Sequence, residues 1–108
     1  MAALSAALED RSYLDWYVAE SAASRQDIYE FCRRRGLTFW PSEGNFVLFR
    51  VGGHAGAIAQ ALAARRIFVR DKSDAPGCAG CIRLTAGVLE HTRRALSALE
   101  DLLASRAH

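Results

Sequence analysis

The chain has 108 residues, with 51% apolar and 24% charged side chains and a formal net charge of +2, the balance of one ordinary globular domain. Fourteen basic against 12 acidic residues is too even for a dedicated nucleic-acid binder, and no apolar run reaches the roughly 18 residues of a membrane span. The opening, Met1 to Asp10, carries two acids and no basic residue, so no signal peptide is expected there.

The first third reads as helix. Leu14, Tyr17, Val18, Ile28, Phe31 and Cys32 fall at helical spacings, thinning to Ala19, Ala22 and Ala23 between them. Ser12 offers an N-cap with Asp15 in the first turn. Arg33, Arg34 and Arg35 suit the negative end of the helix, and Gly36 suits a left-handed C-terminal cap. Two strands are expected next, Leu37 to Trp40 and Asn45 to Val51, joined by the turn Pro41-Ser42-Glu43-Gly44. Beyond Gly52-Gly53, Ile58, Ala61, Leu62 and Arg65 share one helical face. Ile67 to Arg70 then reads as a strand, Asp71 to Gly80 as a polar loop, and Cys81 to Thr85 as a second strand. A last helix buries Thr92, Ala95, Leu96, Leu99, Leu102 and Leu103. The order α-β-β-α-β-β-α predicts an α/β (α+β) fold. A small mixed or antiparallel sheet of about four strands would carry helices packed on it. No linker or repeat divides the chain, so residues 1–108 are expected to form a single domain.

Basic chemistry here is almost wholly arginine, with 13 arginines and one lysine, Lys72. Period-2 alternation sets Arg83 on the face opposite Ile82 and Leu84, and Arg70 opposite Ile67 and Val69. Two guanidiniums on adjacent strands suit a carboxylate or phosphate. The competing reading is a pair of surface ion pairs, with Asp71 and Asp74 close in sequence.

Three motifs carry a family resemblance. Pro41-Ser42-Glu43-Gly44-Asn45-Phe46-Val47-Leu48 resembles the turn and strand of histidinol-phosphate aminotransferases. Ile67-Phe68-Val69-Arg70-Asp71 and Gly80-Cys81-Ile82-Arg83-Leu84-Thr85-Ala86-Gly87 resemble two further strands of that family, in the same order and at a matching interval. The opening Ala6-Ala7-Leu8-Glu9-Asp10, then Tyr13-Leu14, is similar to the start of its small domain. The resemblance covers essentially the whole chain.

It implies the C-terminal small domain of a fold-type I enzyme dependent on pyridoxal phosphate (PLP). Arg83, with Arg70 beside it, would bind the anionic group of an amino-acid or phosphate-ester substrate, and Asn45 would organise the strand and turn. The family's cofactor lysine, its ring-nitrogen aspartate and its phosphate-binding loop lie in a large domain that these residues do not match. Lys72 does not fit the cofactor-lysine motif. The chain is therefore expected to hold no cofactor and to be inactive alone, with a large-domain partner possible. Apolar surface left bare by that partner predicts a homo-oligomer, a dimer first of all.

Two departures stand out. Arg66 occupies a position where the family usually has glycine, in a conformation that other residues adopt at a cost of about 1 kcal/mol or more. Val88 replaces a usual threonine, removing an N-cap for the last helix.

Other signals are weaker. Cys78-Ala79-Gly80-Cys81 is a C-x-x-C leading into a strand, with only Cys32 and three scattered histidines to complete a metal site, so neither metal nor redox chemistry is expected. An odd number of cysteines without an export signal points to a reducing, cytoplasmic compartment. The Arg33–Arg35 run is explained by the helix end. Trp16, Phe39, Trp40 and Phe49 are expected to pack in a core or interface. A free-standing α/β small-molecule or protein-interaction module is the alternative to the aminotransferase reading.

Overall fold

The computed structural model describes residues 2–106, with side chains described for residues 11–104. The elements are α1 (Ala2–Arg35), β1 (Phe39–Trp40), β2 (Phe46–Arg50), α2 (Ala55–Ala64), β3 (Val69–Asp71), β4 (Cys81–Thr85) and α3 (Leu89–Arg106). This is the expected order. The side chains of Ala6–Asp10 and of His108 lie outside the described ones.

The four strands form one antiparallel sheet in the order β1-β2-β4-β3. One face is dry. Val47 and Phe49 of β2 and Ile82 and Leu84 of β4 are buried there, with Ile28 and Phe31 of α1, Ile58 and Leu62 of α2, and Leu99 of α3. Each large side chain so buried contributes roughly 1.5–3 kcal/mol. The other face carries Phe46, Leu48 and Arg50 from β2 and Arg83 and Thr85 from β4, all exposed or half-buried. An antiparallel sheet with one solvated face follows from this alternation.

Both α1 and α2 end in the same motif. Gly36 has φ 69°, Leu37 N–H reaches Cys32 O at 2.8 Å, and Gly36 N–H reaches Arg33 O at 3.3 Å. At the end of α2, Ile67 N–H reaches Leu62 O at 2.8 Å and Arg66 N–H reaches Ala63 O at 2.9 Å. These are paired Schellman bonds. The left-handed residue of the second is Arg66, φ 63°, as its glycine-for-arginine position implies.

The N-cap at Ser12 is a correction. Helix α1 begins at Ala2 and runs through Ser12, because its first half is held by helix continuity, with no turn to cap. Leu14 and Val18 are likewise exposed, not core, and Tyr17 is only half-buried. Three strands are shorter than expected, β2 by its end residues Asn45 and Val51. Leu37 and Thr38 lie outside β1, where Leu37 closes the α1 cap, and Ile67 closes the α2 cap ahead of β3. Asp71 belongs to β3, opposite Ile82.

Hydrogen bonds fasten α1 to the sheet ends. Ser21 Oγ donates to Ala86 O, and Ser24 Oγ donates to Gly87 O at 2.8 Å. Tyr29 Oη accepts from Ser42 N–H at 2.8 Å and donates to Ser42 O at 3.1 Å, and Arg25 Nη1 donates to Gly44 O at 2.8 Å. The turn after Pro41 is closed by Ser42 Oγ, which accepts from Gly44 N–H at 3.0 Å. Asn45 acts through its backbone, its carbonyl accepting Ala86 N–H at 2.7 Å. No helix among the described residues is long and apolar enough to cross a membrane.

Candidate functional site

Strand β4 is central in the sheet, and Arg83 is its middle residue. Its register partners are Leu48 on β2 and Arg70 on β3. The two sequence-predicted arginines therefore stand side by side on the solvated face. Arg83 is half-buried and Arg70 exposed. They line a cavity of about 270 Å³ with Phe68, Val69 and Thr85. Arg83 also lies over the Phe46 ring, with Cζ 5.1 Å from the centroid, which orients the guanidinium and shields its stem.

The ion-pair reading fails. Among the described residues no carboxylate lies within 4.0 Å of either guanidinium. Asp71 is turned to its own loop, where its Oδ1 accepts Ser73 N–H at 2.9 Å. Hydrogen bonding to the Ser73 side chain, then to its backbone, holds the Asp71 carboxyl below the usual carboxylate range. A third guanidinium on this face, Arg50, is already engaged. Its Nε and Nη2 donate to Ala79 O and Gly77 O, each at 3.1 Å, and it stacks on Trp40.

Like charges directly opposite one another in a sheet are unfavourable by roughly 0.2–1 kcal/mol. Among the described residues no protein carboxylate offsets this repulsion between Arg70 and Arg83. Phe46, Phe68 and Thr85 were not singled out by sequence reasoning. Alternation alone places Phe68 with Arg70 and Thr85 with Arg83, whereas Phe46 joins them through the β2–β4 register.

The geometry around the pair depends on two glycines. Gly80 has φ 76°, and a Cβ there would stand 2.7 Å from Gly52 O. That contact exists because Val51 and Gly52 N–H both reach Gly80 O, at 2.8 and 3.1 Å. At Gly87 a Cβ would stand 2.9 Å from the Tyr17 hydroxyl. Val88 offers no capping hydroxyl, and Leu89 N–H is taken instead by Glu20 Oε1 at 3.3 Å.

The arginine cavity contains neither lysine nor carboxylate, the two groups that a PLP site requires. Lys72 lies in the turn after β3, its N–H bonded to Cys81 O at 2.9 Å. Cys78 and Cys81 close a turn, with Cys81 N–H 3.0 Å from Cys78 O, and all three cysteines are free thiols. Among the described residues no three His, Cys, Asp or Glu side chains gather as a metal site. Cys32 is fully buried, and desolvation pushes its thiol up to about 12.

Comparison with known proteins converges on one family. Residues 1–99 match the family described as aminotransferase class I and II. A histidinol-phosphate aminotransferase of Geobacillus sp. (strain WCH70) is 33% identical over 102 residues, covering 94% of this chain and 28% of the relative. Histidinol-phosphate aminotransferase 2 of Bordetella bronchiseptica is 37% identical over 108 residues, covering 96% and 30%. The crystal structure of histidinol-phosphate aminotransferase from Sinorhizobium meliloti in complex with pyridoxal-5'-phosphate superposes with a TM-score of 0.74 at 33% identity, over 93% of this chain and 28% of that one. The chain thus spans less than a third of the length of these relatives.

Proposed function

The chain belongs to the class I and II aminotransferase family, and we propose that it is the small-domain portion of a PLP enzyme similar to histidinol-phosphate aminotransferase. Its own contribution is substrate binding. Arg83 and Arg70 hold the carboxylate or phosphate of the substrate, and the cofactor and its lysine are contributed by a large domain outside these residues. The observation that carries this is the cross-strand pairing of Arg70 with Arg83 without a protein carboxylate. A charge-assisted fork of this kind gains about 1.5–3 kcal/mol per hydrogen bond to an anion.

When bound, PLP supplies the electron sink for amino-group transfer. This chain's residues orient the anionic end of the substrate, and the Phe46 ring keeps the Arg83 guanidinium in place. The apolar, exposed Tyr13, Leu14, Trp16 and Val18 on α1 form the surface that the large domain, or in its absence a second copy, would cover.

Titration calorimetry with histidinol phosphate and with L-glutamate tests the proposal. Saturable binding of either, lost in Arg83→Ala while the circular dichroism spectrum is unchanged, supports it. L-Glutamate binding that survives Arg83→Ala would assign the anion to another place and overturn it.

A further inference from the structure

A second cavity adjoins the one between Arg70 and Arg83. It is an open cavity of about 440 Å³ between the α2–β3 connection, Tyr17 of α1, the β4–α3 junction and the first two turns of α3, within the range of about 300–1,000 Å³ typical of small-molecule sites. Its walls have two characters. Ile67 and Leu84 are buried apolar lining and Phe68 is an exposed one, while Arg66, His91 and Arg94 bring three nitrogen-bearing side chains. No carboxylate lines it, and among the described residues none lies within 4.0 Å of the Arg66 or Arg94 guanidinium.

Two further observations point to a ligand. Thr92, another lining residue, is 2% exposed, and its Oγ1 has no hydrogen-bond partner among the described residues. Buried hydroxyls are rarely left so. Arg66 is held at φ 63°, a strained position for a side-chain-bearing residue, and such strain gathers at ligand-holding sites. The helix dipole is not needed, because Glu20 already takes the first N–H of α3.

We propose that this cavity binds a phosphate monoester with an apolar body. Arg66 and Arg94 hold the phosphate, His91 and Thr92 supply further donors, and Phe68 packs against the apolar group. The site borders the arginine pair of β3 and β4, sharing Phe68 and Thr85 with that cavity, but Arg66, His91 and Arg94 line only this one.

The test is a titration of the whole chain with phenyl phosphate, followed by amide and arginine side-chain NMR signals. Saturable shifts are expected at Val88–Thr92 and at the Arg66 and Arg94 Nε–H. Arg94→Gln should weaken binding about tenfold or more, the loss of a hydrogen bond to a charged group. Arg83→Ala should leave the shifts at Arg66, Arg94 and Val88–Thr92 unchanged. Thr92→Val, which keeps the shape and removes the hydroxyl, should weaken binding without unfolding the chain. Inorganic phosphate should bind at least about tenfold more weakly, for want of apolar contact. Shifts confined to Arg70 and Arg83, affinity indifferent to Arg94→Gln, or equal affinity for inorganic phosphate would each overturn the proposal. The two proposals fail separately because they are read at different signals, Arg66 and Arg94 for this cavity and Arg70 and Arg83 for the substrate-anion proposal.

Discussion

Arg70 and Arg83 face each other across β3 and β4 on the solvated side of the sheet, with no carboxylate between them. That arrangement is unfavourable for an isolated fold, and under the substrate-anion proposal it favours binding. Replacing Arg70 by threonine should therefore raise stability slightly, by about 0.2–1 kcal/mol, while weakening anion binding. Urea midpoints read against anion affinities check this, and a loss of both properties would contradict it.

Arg66 carries a conformational cost at the end of α2. Arg66→Gly should stabilise the chain by about 0.5–1 kcal/mol, since relief of the left-handed conformation outweighs glycine's extra chain entropy. The same substitution should weaken phenyl phosphate binding. Denaturant midpoints at constant m-value measure the first effect.

Gly80→Ala should do the reverse. The left-handed φ and the Gly52 carbonyl 2.7 Å from the added methyl together cost about 2–4 kcal/mol. Thermal unfolding would show it, and a neutral substitution would mean that the β4 entry is not held as described.

Burial raises the folded-state value of Cys32 to about 12, above its unfolded value. Its contribution to stability is therefore full below the unfolded pKa near 9 and is lost as pH rises from there toward 12. At pH 8 iodoacetamide should label Cys78 and spare Cys32. Stability measured between pH 9 and 12 should fall. Rapid native labelling of Cys32 would contradict its placement in the core.

The exposed Tyr13, Leu14, Trp16 and Val18 predict self-association of the chain on its own. Sedimentation velocity should show a concentration-dependent dimer, and Leu14→Glu with Trp16→Glu should return it to monomer. A strictly monomeric wild-type profile at high concentration would be the contrary result.

The faces of the strands are legible in the sequence, because Ile82-Arg83-Leu84 and Ile67-Phe68-Val69-Arg70 alternate with period 2. Register is not. Periodicity places Arg70 and Arg83 on one face, but only the paired backbone sets them opposite each other, and only the β2 partner brings Phe46 under Arg83. The left-handed turn at Arg66 is foreseeable only through the family resemblance, which puts a glycine at that position. The N-terminal extent of α1 is not, because exposed Tyr13 to Val18 carry the same helical spacing as the buried Ile28 to Cys32. Spacing reports a face and is silent on whether anything covers it. The cavity at Arg66, His91 and Arg94 joins residues from two elements with no shared motif, so no local pattern announces it.

The most direct measurement is the Nε–H spectrum of 15N-labelled arginines during titration with histidinol phosphate. The arginine-pair proposal predicts that Arg70 and Arg83 signals shift together with one saturation curve, and that Arg83→Ala abolishes the Arg70 shift. Independent or absent shifts at these two residues, with binding nonetheless present, would contradict the central role assigned to the pair.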